Sequence, residues 1–222
     1  MSEPPRLLLL HGFSGSGESW REVIAELPDE WSVSAPDLLG HATASAVAGR
    51  SFEDEVERLA AGLGCESGRR CHLVGYSLGA RLALGLLASR PERFESATLI
   101  GVNDGLRAPA ERRARRERDE GWATLLEQDG LEAFIERWQA QPLFASQKEL
   151  EPALLENQRR IRAAHCAEGL ARAMRALGLG VMPDYRERLR SFQRPVRLVV
   201  GGLDLKFQKI ATEICRDRKS VV

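Results

Sequence analysis

Gly75-Tyr76-Ser77-Leu78-Gly79 decides the fold of this chain. The five residues read G-x-S-x-G. They stand directly after an apolar run, Leu73-Val74, and directly before a helical stretch, Arg81 to Ala88. A serine between two glycines at a strand-to-helix junction is forced into a tight, strained turn. The flanking positions must be nearly free of side chain for the backbone to make it, and the hydroxyl ends up exposed above the sheet. A glycine-serine turn without chemistry has the same letters, so the surroundings of the motif have to decide between the two.

Working outward, short apolar runs alternate with helical patterns. Arg6-Leu10, Trp31-Ala35, Cys71-Gly75, Ala97-Gly101 and Val196-Gly201 read as buried strands, with Trp20-Glu26, Phe52-Gly62, Arg81-Ala88 and Phe207-Cys215 as the helices between them. Near-continuous apolar strands alternating with helices imply a mostly parallel sheet covered on both faces. From about Ala108 to Leu189 this rhythm stops. That stretch is rich in Arg, Glu, Ala and Leu at helical spacing, with no strand-like run, and reads as an inserted helical cap. The expected division is a core over 1–107, a cap over 108–189 and the second part of the core over 190–222.

The chain's 222 residues are enough for one substantial core with a small accessory module. Its 32 basic and 32 acidic residues balance, so no global field draws it to nucleic acid or to an anionic membrane. Cys65, Cys71, Cys166 and Cys215 show neither C-x-x-C spacing nor the density of a disulfide framework, which suits a reducing compartment. The first apolar stretch, Leu7-Leu10, is far too short for a signal peptide or a membrane span. The expectation is a soluble, cytoplasmic protein with no membrane, nucleic-acid, metal or cofactor partner.

In the α/β-hydrolase fold that these features describe, the loop after the first strand supplies one N–H of an oxyanion hole, and the residue after the nucleophile supplies the second. Here they are Phe13, in His11-Gly12-Phe13, and Leu78. The acid should follow a later strand. Val196 to Gly202 followed by Leu203-Asp204 fits, with Asp104 as runner-up and Asp37 read as structural. The order on this fold is Ser, acid, His. None of the 18 residues after Asp204 is histidine: His11, His41 and His72 precede Ser77, and His165 lies in the proposed cap.

The cap narrows the choice. Glu111-Arg112-Arg113-Ala114-Arg115, Asp119-Glu120-Gly121-Trp122, Phe134-Ile135-Glu136-Arg137-Trp138, Gln141-Pro142-Leu143-Phe144, Gly169-Leu170-Ala171 and Asp204-Leu205-Lys206-Phe207 resemble the MenH family of menaquinone biosynthesis. The similarity runs from Leu7 to Cys215. It implies a lyase on a hydrolase fold, a 2-succinyl-6-hydroxy-2,4-cyclohexadiene-1-carboxylate synthase that eliminates pyruvate from an enolpyruvyl precursor. It also implies catalytic Ser77 and Asp204. A small polyanionic substrate would be held by Arg81, Arg115 and Arg159, with Tyr76 and Trp138 completing the pocket. Planar guanidinium groups suit carboxylates.

Two departures from the family stand out. In Asp37-Leu38-Leu39-Gly40-His41-Ala42, alanine stands where a second glycine is usual. Family members also continue beyond the Lys-Phe motif into a helix, a last strand, a loop with the catalytic histidine and a final helix. Asp217 to Val222 instead matches the translation of a common sequencing adapter, so an inactive fragment is the expectation. A carboxylester or thioester hydrolase and a catalytically dead binding module of the same fold stay open as alternatives.

Overall fold

The computed structural model describes residues 4–49, 51–63 and 69–218. Met1 to Glu3, Cys65 and Lys219 to Val222 lie outside them. Five strands form one sheet: β1 (Arg6–Leu10), β2 (Ser32–Ser34), β3 (Cys71–Tyr76), β4 (Phe94–Ile100) and β5 (Val196–Val199). Their order is β2-β1-β3-β4-β5, and every neighbouring pair is parallel. The chain leaves β1 toward one edge and returns to the other side as β3. This places a topological switch between the carboxyl ends of β1 and β3, where open α/β sheets bind ligands. Ser77 follows the end of β3, and His11-Gly12-Phe13 follows the end of β1.

Alternation along β1 splits its leucines between the two faces of the sheet. Leu8 and Leu10 join Leu73, Leu82, Leu86 and Leu99 in the main core, while Leu7 and Leu9 pack with Trp20 on the other face. The main core is covered by α2 (Phe52–Gly62) and α3 (Leu78–Ser89). α2 starts where its sequence says it should. The Ser51 hydroxyl accepts from Asp54 N–H, and the Asp54 carboxylate accepts from Ser51 N–H. The Trp20-Glu26 segment divides instead into a 3-10 turn (Gly17–Trp20) and a short α1 (Arg21–Ala25), because only Trp20 is buried there. β4 begins at Phe94, earlier than its apolar run suggests: Phe94 is buried, and Ser96 pairs with His72, whose ring meets the Ser96 hydroxyl at 2.8 Å.

Between β4 and β5 the described residues are helical: α4 (Pro109–Gln139), a 3-10 segment (Pro142–Glu149), α5 (Pro152–Ala163), α6 (Ala167–Leu177) and α7 (Arg186–Ser191). α4 is bent at Gly130, whose φ of 81° interrupts it. Ala123, Leu126, Phe134, Leu170 and Met174 form a core of their own, while Ala173, Ala176 and Leu177 on α6 pack into the main core. α6 therefore mortises the inserted helices onto the sheet. The last helix, α8 (Leu205–Asp217), is capped by Asp204, which accepts from Phe207 N–H at 3.0 Å. Among the described residues no helix is long and apolar enough to cross a membrane.

Candidate active site

Ser77 has φ 51° and ψ −103°, a conformation that an L-residue holds only when its surroundings impose it. Two hydrogen bonds do so. Ser77 N–H donates to Ile100 O at 2.8 Å, and Gly79 N–H donates to His11 O at 3.0 Å. The glycines are obligatory. A Cβ on Gly75 would stand 2.6 Å from Gly79 O, and one on Gly79 would stand 2.1 Å from Leu10 O. The motif is thus a steric requirement of packing α3 directly against β1 and β3. Phe13 N–H and Leu78 N–H have no protein acceptor among the described residues, which leaves both free for a ligand oxygen.

Ser77, Phe13, Tyr76 and Trp138 line one cavity of about 470 Å³ between the sheet's carboxyl edge and the helical insertion. α5 contributes Leu154, Asn157, Gln158, Ile161 and Arg162, and the loop after β1 contributes Glu18, Ser19 and Trp20. One wall is aromatic. The ring centroid of Trp138 lies 5.3 Å from Phe13, 5.3 Å from Phe134 and 6.1 Å from Phe144. At the rim, Arg160 clasps both carboxylate oxygens of Glu18, joining α5 to the first turn.

The expected arginines lie elsewhere. Arg81 donates to Leu177 O at 2.7 Å and so ties α3 to the end of α6. Burial pulls its pKa down to about 9, nearby Arg115 adds to that, and Asp119 opposes both. Arg115 Nε donates to Asp119 Oδ1 at 2.8 Å, and burial raises the Asp119 carboxyl above its ordinary value against the pull of Arg115. Arg159 is exposed on α5. These three do not line the cavity, and neither does Asp204. Asp104 is half-buried beyond β4, its carboxyl raised by burial. Asp37 accepts from Gly17 N–H and Thr43 N–H, tying two loops together.

Sequence reasoning missed Arg162, which lines the cavity from α5, as Arg21 does from α1. Its signal was present in helical spacing: Leu154, Gln158, Ile161 and Arg162 fall on one face of α5, with Ile161 buried. Arg159 falls off that face.

Three histidines form a buried string behind the cavity. Ring centroids are 5.1 Å apart for His11 and His41, and 5.4 Å apart for His41 and His165. His11 accepts from Leu38 N–H at Nε2 and donates from Nδ1 to Gly12 O. His41 accepts from Ser14 N–H at Nε2 and donates to Leu39 O. His165 accepts from Ala42 N–H at Nδ1 and donates to Ser14 O. A backbone carbonyl can only accept and an amide can only donate, so each ring is held neutral in one tautomer. Burial lowers the pKa of His11 to about 4, pulls that of His41 well below its ordinary value and lowers that of His165. With both nitrogens engaged, none of the three can serve Ser77 as a base. His72 sits within β3, stacked on Trp31.

A strained serine at the switch point, two free N–H groups beside it and a helical roof define a serine-elbow enzyme. Comparison with known proteins agrees: the sequence profile of the alpha/beta hydrolase family matches residues 7–222. The 2-succinyl-6-hydroxy-2,4-cyclohexadiene-1-carboxylate synthase of Enterobacter sp. (strain 638) is 34% identical over 214 residues, 96% of this chain and 81% of that protein. The putative synthase of the same name from Bacillus subtilis (strain 168) is 34% identical over 211 residues, 94% of this chain and 77% of that one. The solved structure of MenH from S. aureus superposes with a TM-score of 0.92 at 28% identity, covering 98% of this chain and 83% of the other. The chain belongs to the alpha/beta hydrolase family, and within it to the 2-succinyl-6-hydroxy-2,4-cyclohexadiene-1-carboxylate synthases.

Proposed function

We infer that this protein is a lyase of menaquinone biosynthesis. It eliminates pyruvate from 2-succinyl-5-enolpyruvyl-6-hydroxy-3-cyclohexene-1-carboxylate to leave the 2,4-cyclohexadiene product. The names of substrate and product fix the bond changes. The proton on C2 is removed, its bonding pair forms the C2–C3 double bond, the C3–C4 double bond shifts to C4–C5, and the C5–O bond breaks. The enolpyruvyl oxygen departs as the enolate of pyruvate, which then takes up a proton. C2 is acidified by the succinyl ketone attached to it, so negative charge develops on the ketone oxygen as the proton leaves.

That is a task for preorganised donors. The observation that carries this reading is Ser77 on the cavity floor with Phe13 N–H and Leu78 N–H uncommitted. In it, the two N–H groups receive the ketone oxygen as an oxyanion hole, and the Ser77 hydroxyl stands at the C2 proton. Ser77 then acts as a proton relay, without an acyl-enzyme. Asp204 is assigned the part of the acid that orients a base. Tyr76 and Trp138 enclose the ring, while Arg81, Arg115 and Arg159, which lie away from the cavity, take no part in this reading. We place the reaction in the cytoplasm, which suits the free thiols Cys71, Cys166 and Cys215.

Pyruvate release, followed by a lactate dehydrogenase couple, tests this. Because His11, His41 and His165 are committed elsewhere, added imidazole should stimulate release by the 222-residue chain, and Ser77→Ala should abolish the stimulated rate. Hydrolysis of neutral esters with no pyruvate from the enolpyruvyl compound would reassign the protein as an esterase.

A further inference from the structure

Among the described residues, three that are not glycine have positive φ: Ser14 at 59°, Ala42 at 38° and Ser77 at 51°. The last is the elbow itself, and one cap side chain is bonded to the other two. His165, in the turn between α5 and α6, accepts from Ala42 N–H at Nδ1 (3.1 Å) and donates from Nε2 to Ser14 O (3.0 Å). Ser14 N–H donates in turn to His41 Nε2 at 3.1 Å. Histidine rings therefore hold both backbone groups of a strained residue in place. His165 is buried and does not line the cavity.

Two peptide planes separate His165 from the loop's free donor. The Ser14 carbonyl shares its plane with Gly15 N–H, which donates to Gly12 O at 3.0 Å and closes a turn over residues 12–15. Positive φ at the third position of such a turn favours glycine, so Ser14 stays there because its partners impose it. The Gly12 carbonyl shares the next plane with Phe13 N–H, and His11 Nδ1 donates to the same oxygen at 2.8 Å. In a trans peptide C=O and N–H point in opposite directions, so the donors on Gly12 O fix the line along which Phe13 N–H points. Ala42 N–H, His165 and the two peptides thus form a chain in which each member accepts at one end and donates at the other. Hydrogen bonds arranged in one sense polarise each other, most of all where water is excluded.

We propose that His165 is a positioning residue for the reaction at Ser77: through the Ser14–Gly15 and Gly12–Phe13 peptides it aims and polarises Phe13 N–H as a donor to the oxyanion. This deepens the lyase reading and rests on its assignment of Phe13 N–H. The cap then does more than roof the cavity, because it strengthens one oxyanion donor from behind without touching the substrate. Imidazole suits the place, being a rigid ring with one donor and one acceptor nitrogen. Lysine or arginine could only donate, and would leave Ala42 N–H without its acceptor.

The test begins on the unsubstituted protein. Labelled with nitrogen-15 at histidine, it should show His165 near neutral pH with its proton on Nε2, and a proton on Nδ1 overturns the proposal. Two variants follow, each checked for cooperative melting: His165→Gln keeps a donor at the place of Nε2, whereas His165→Asn reaches only the place of Nδ1. In protein labelled at phenylalanine nitrogen, the Phe13 amide, identified by its loss in Phe13→Leu, should move in His165→Asn and hold its position in His165→Gln. The amides of Phe52 and Phe94, in the main core, should stay put in both. Pyruvate release at saturating imidazole should follow the same order, with kcat lower by about 10- to 100-fold in His165→Asn at unchanged KM and most of the rate kept in His165→Gln. Losses that merely track melting temperature in the two variants, or a Phe13 amide indifferent to His165→Asn, overturn the proposal. Pyruvate release with an undiminished kcat in folded His165→Asn would sink it too, while leaving the lyase reading intact. A Phe13 amide that follows the pattern, in a protein that never releases pyruvate, would sink the lyase reading and leave the hydrogen-bond chain standing.

Discussion

Gly79 is packed so closely on Leu10 that no side chain fits between them: a Cβ would lie 2.1 Å from the Leu10 carbonyl oxygen. The first turn of α3 rests on the carboxyl end of β1, and that contact brings Leu78 N–H and the loop bearing Phe13 to the same side of Ser77. Gly79→Ala must push α3 away from β1. The expected outcome is destabilisation by about 1–3 kcal/mol, as for other overpacked core positions, with loss of turnover well beyond the loss of folded protein. Denaturant unfolding and pyruvate release on the same samples check this. Full activity in the variant would show that the turn tolerates displacement.

Arg81 and Asp119 define a second testable junction. Arg81 donates to the carbonyl of Leu177 at the end of α6 and is drawn toward Asp119, whose Oδ2 is buried without a partner. Arg81→Ala should loosen the cap on the core, costing about 1.5–3 kcal/mol for a charged hydrogen bond, and should raise KM. Arg81→Lys should recover part of the stability, because the charge is kept while the planar donor geometry is lost. Melting curves and steady-state kinetics separate the two effects, and unchanged values of both in Arg81→Ala would refute the assignment.

The histidine string predicts acid sensitivity. The folded state holds His11, His41 and His165 neutral, with pKa values below that of an unfolded histidine. Below about pH 6.5 the unfolded chain therefore binds more protons than the folded one, and stability falls with falling pH. For His11 the loss runs from about pH 6.5 down to its folded pKa of about 4. It amounts to about 3 kcal/mol, with His41 and His165 adding in the same direction. Asp37, whose folded pKa is depressed, acts only below the carboxylate range and so does not obscure this window. Thermal melts from pH 8 to 4.5 should fall steeply below about pH 6.5; a flat profile would mean that the string is solvated.

Ala42 offers a stabilising substitution. Its φ of 38° lies in the left-handed region, while its N–H is fixed by His165 Nδ1 at 3.1 Å. Ala42→Gly relieves the Cβ strain at some cost in unfolded-state entropy. We expect a net gain of up to about 1 kcal/mol, measured as a higher denaturation midpoint with an unchanged slope. A lower midpoint would show that the alanine is accommodated without strain.

The sequence by itself determined the sheet and the strained serine turn. G-x-S-x-G after an apolar strand is a local steric statement, and only one backbone path satisfies it once a helix must pack behind the strand. The leucines of β1 and the capping box of α2 are equally local, since periodicity and short-range hydrogen bonds dictate them. The tertiary structure decided the rest. Whether Arg81 meets a ligand or a carbonyl, and whether Arg162 meets a partner or open space, depends on groups far away in sequence: 96 residues separate Arg81 from Leu177. The roles of the histidines were hidden for the same reason. His165 and Ser14, 151 residues apart, share a hydrogen bond that fixes one ring's tautomer. Such pairings arise only when the cap closes on the core, because a charged or ring side chain takes its chemistry from the partners that desolvation leaves it.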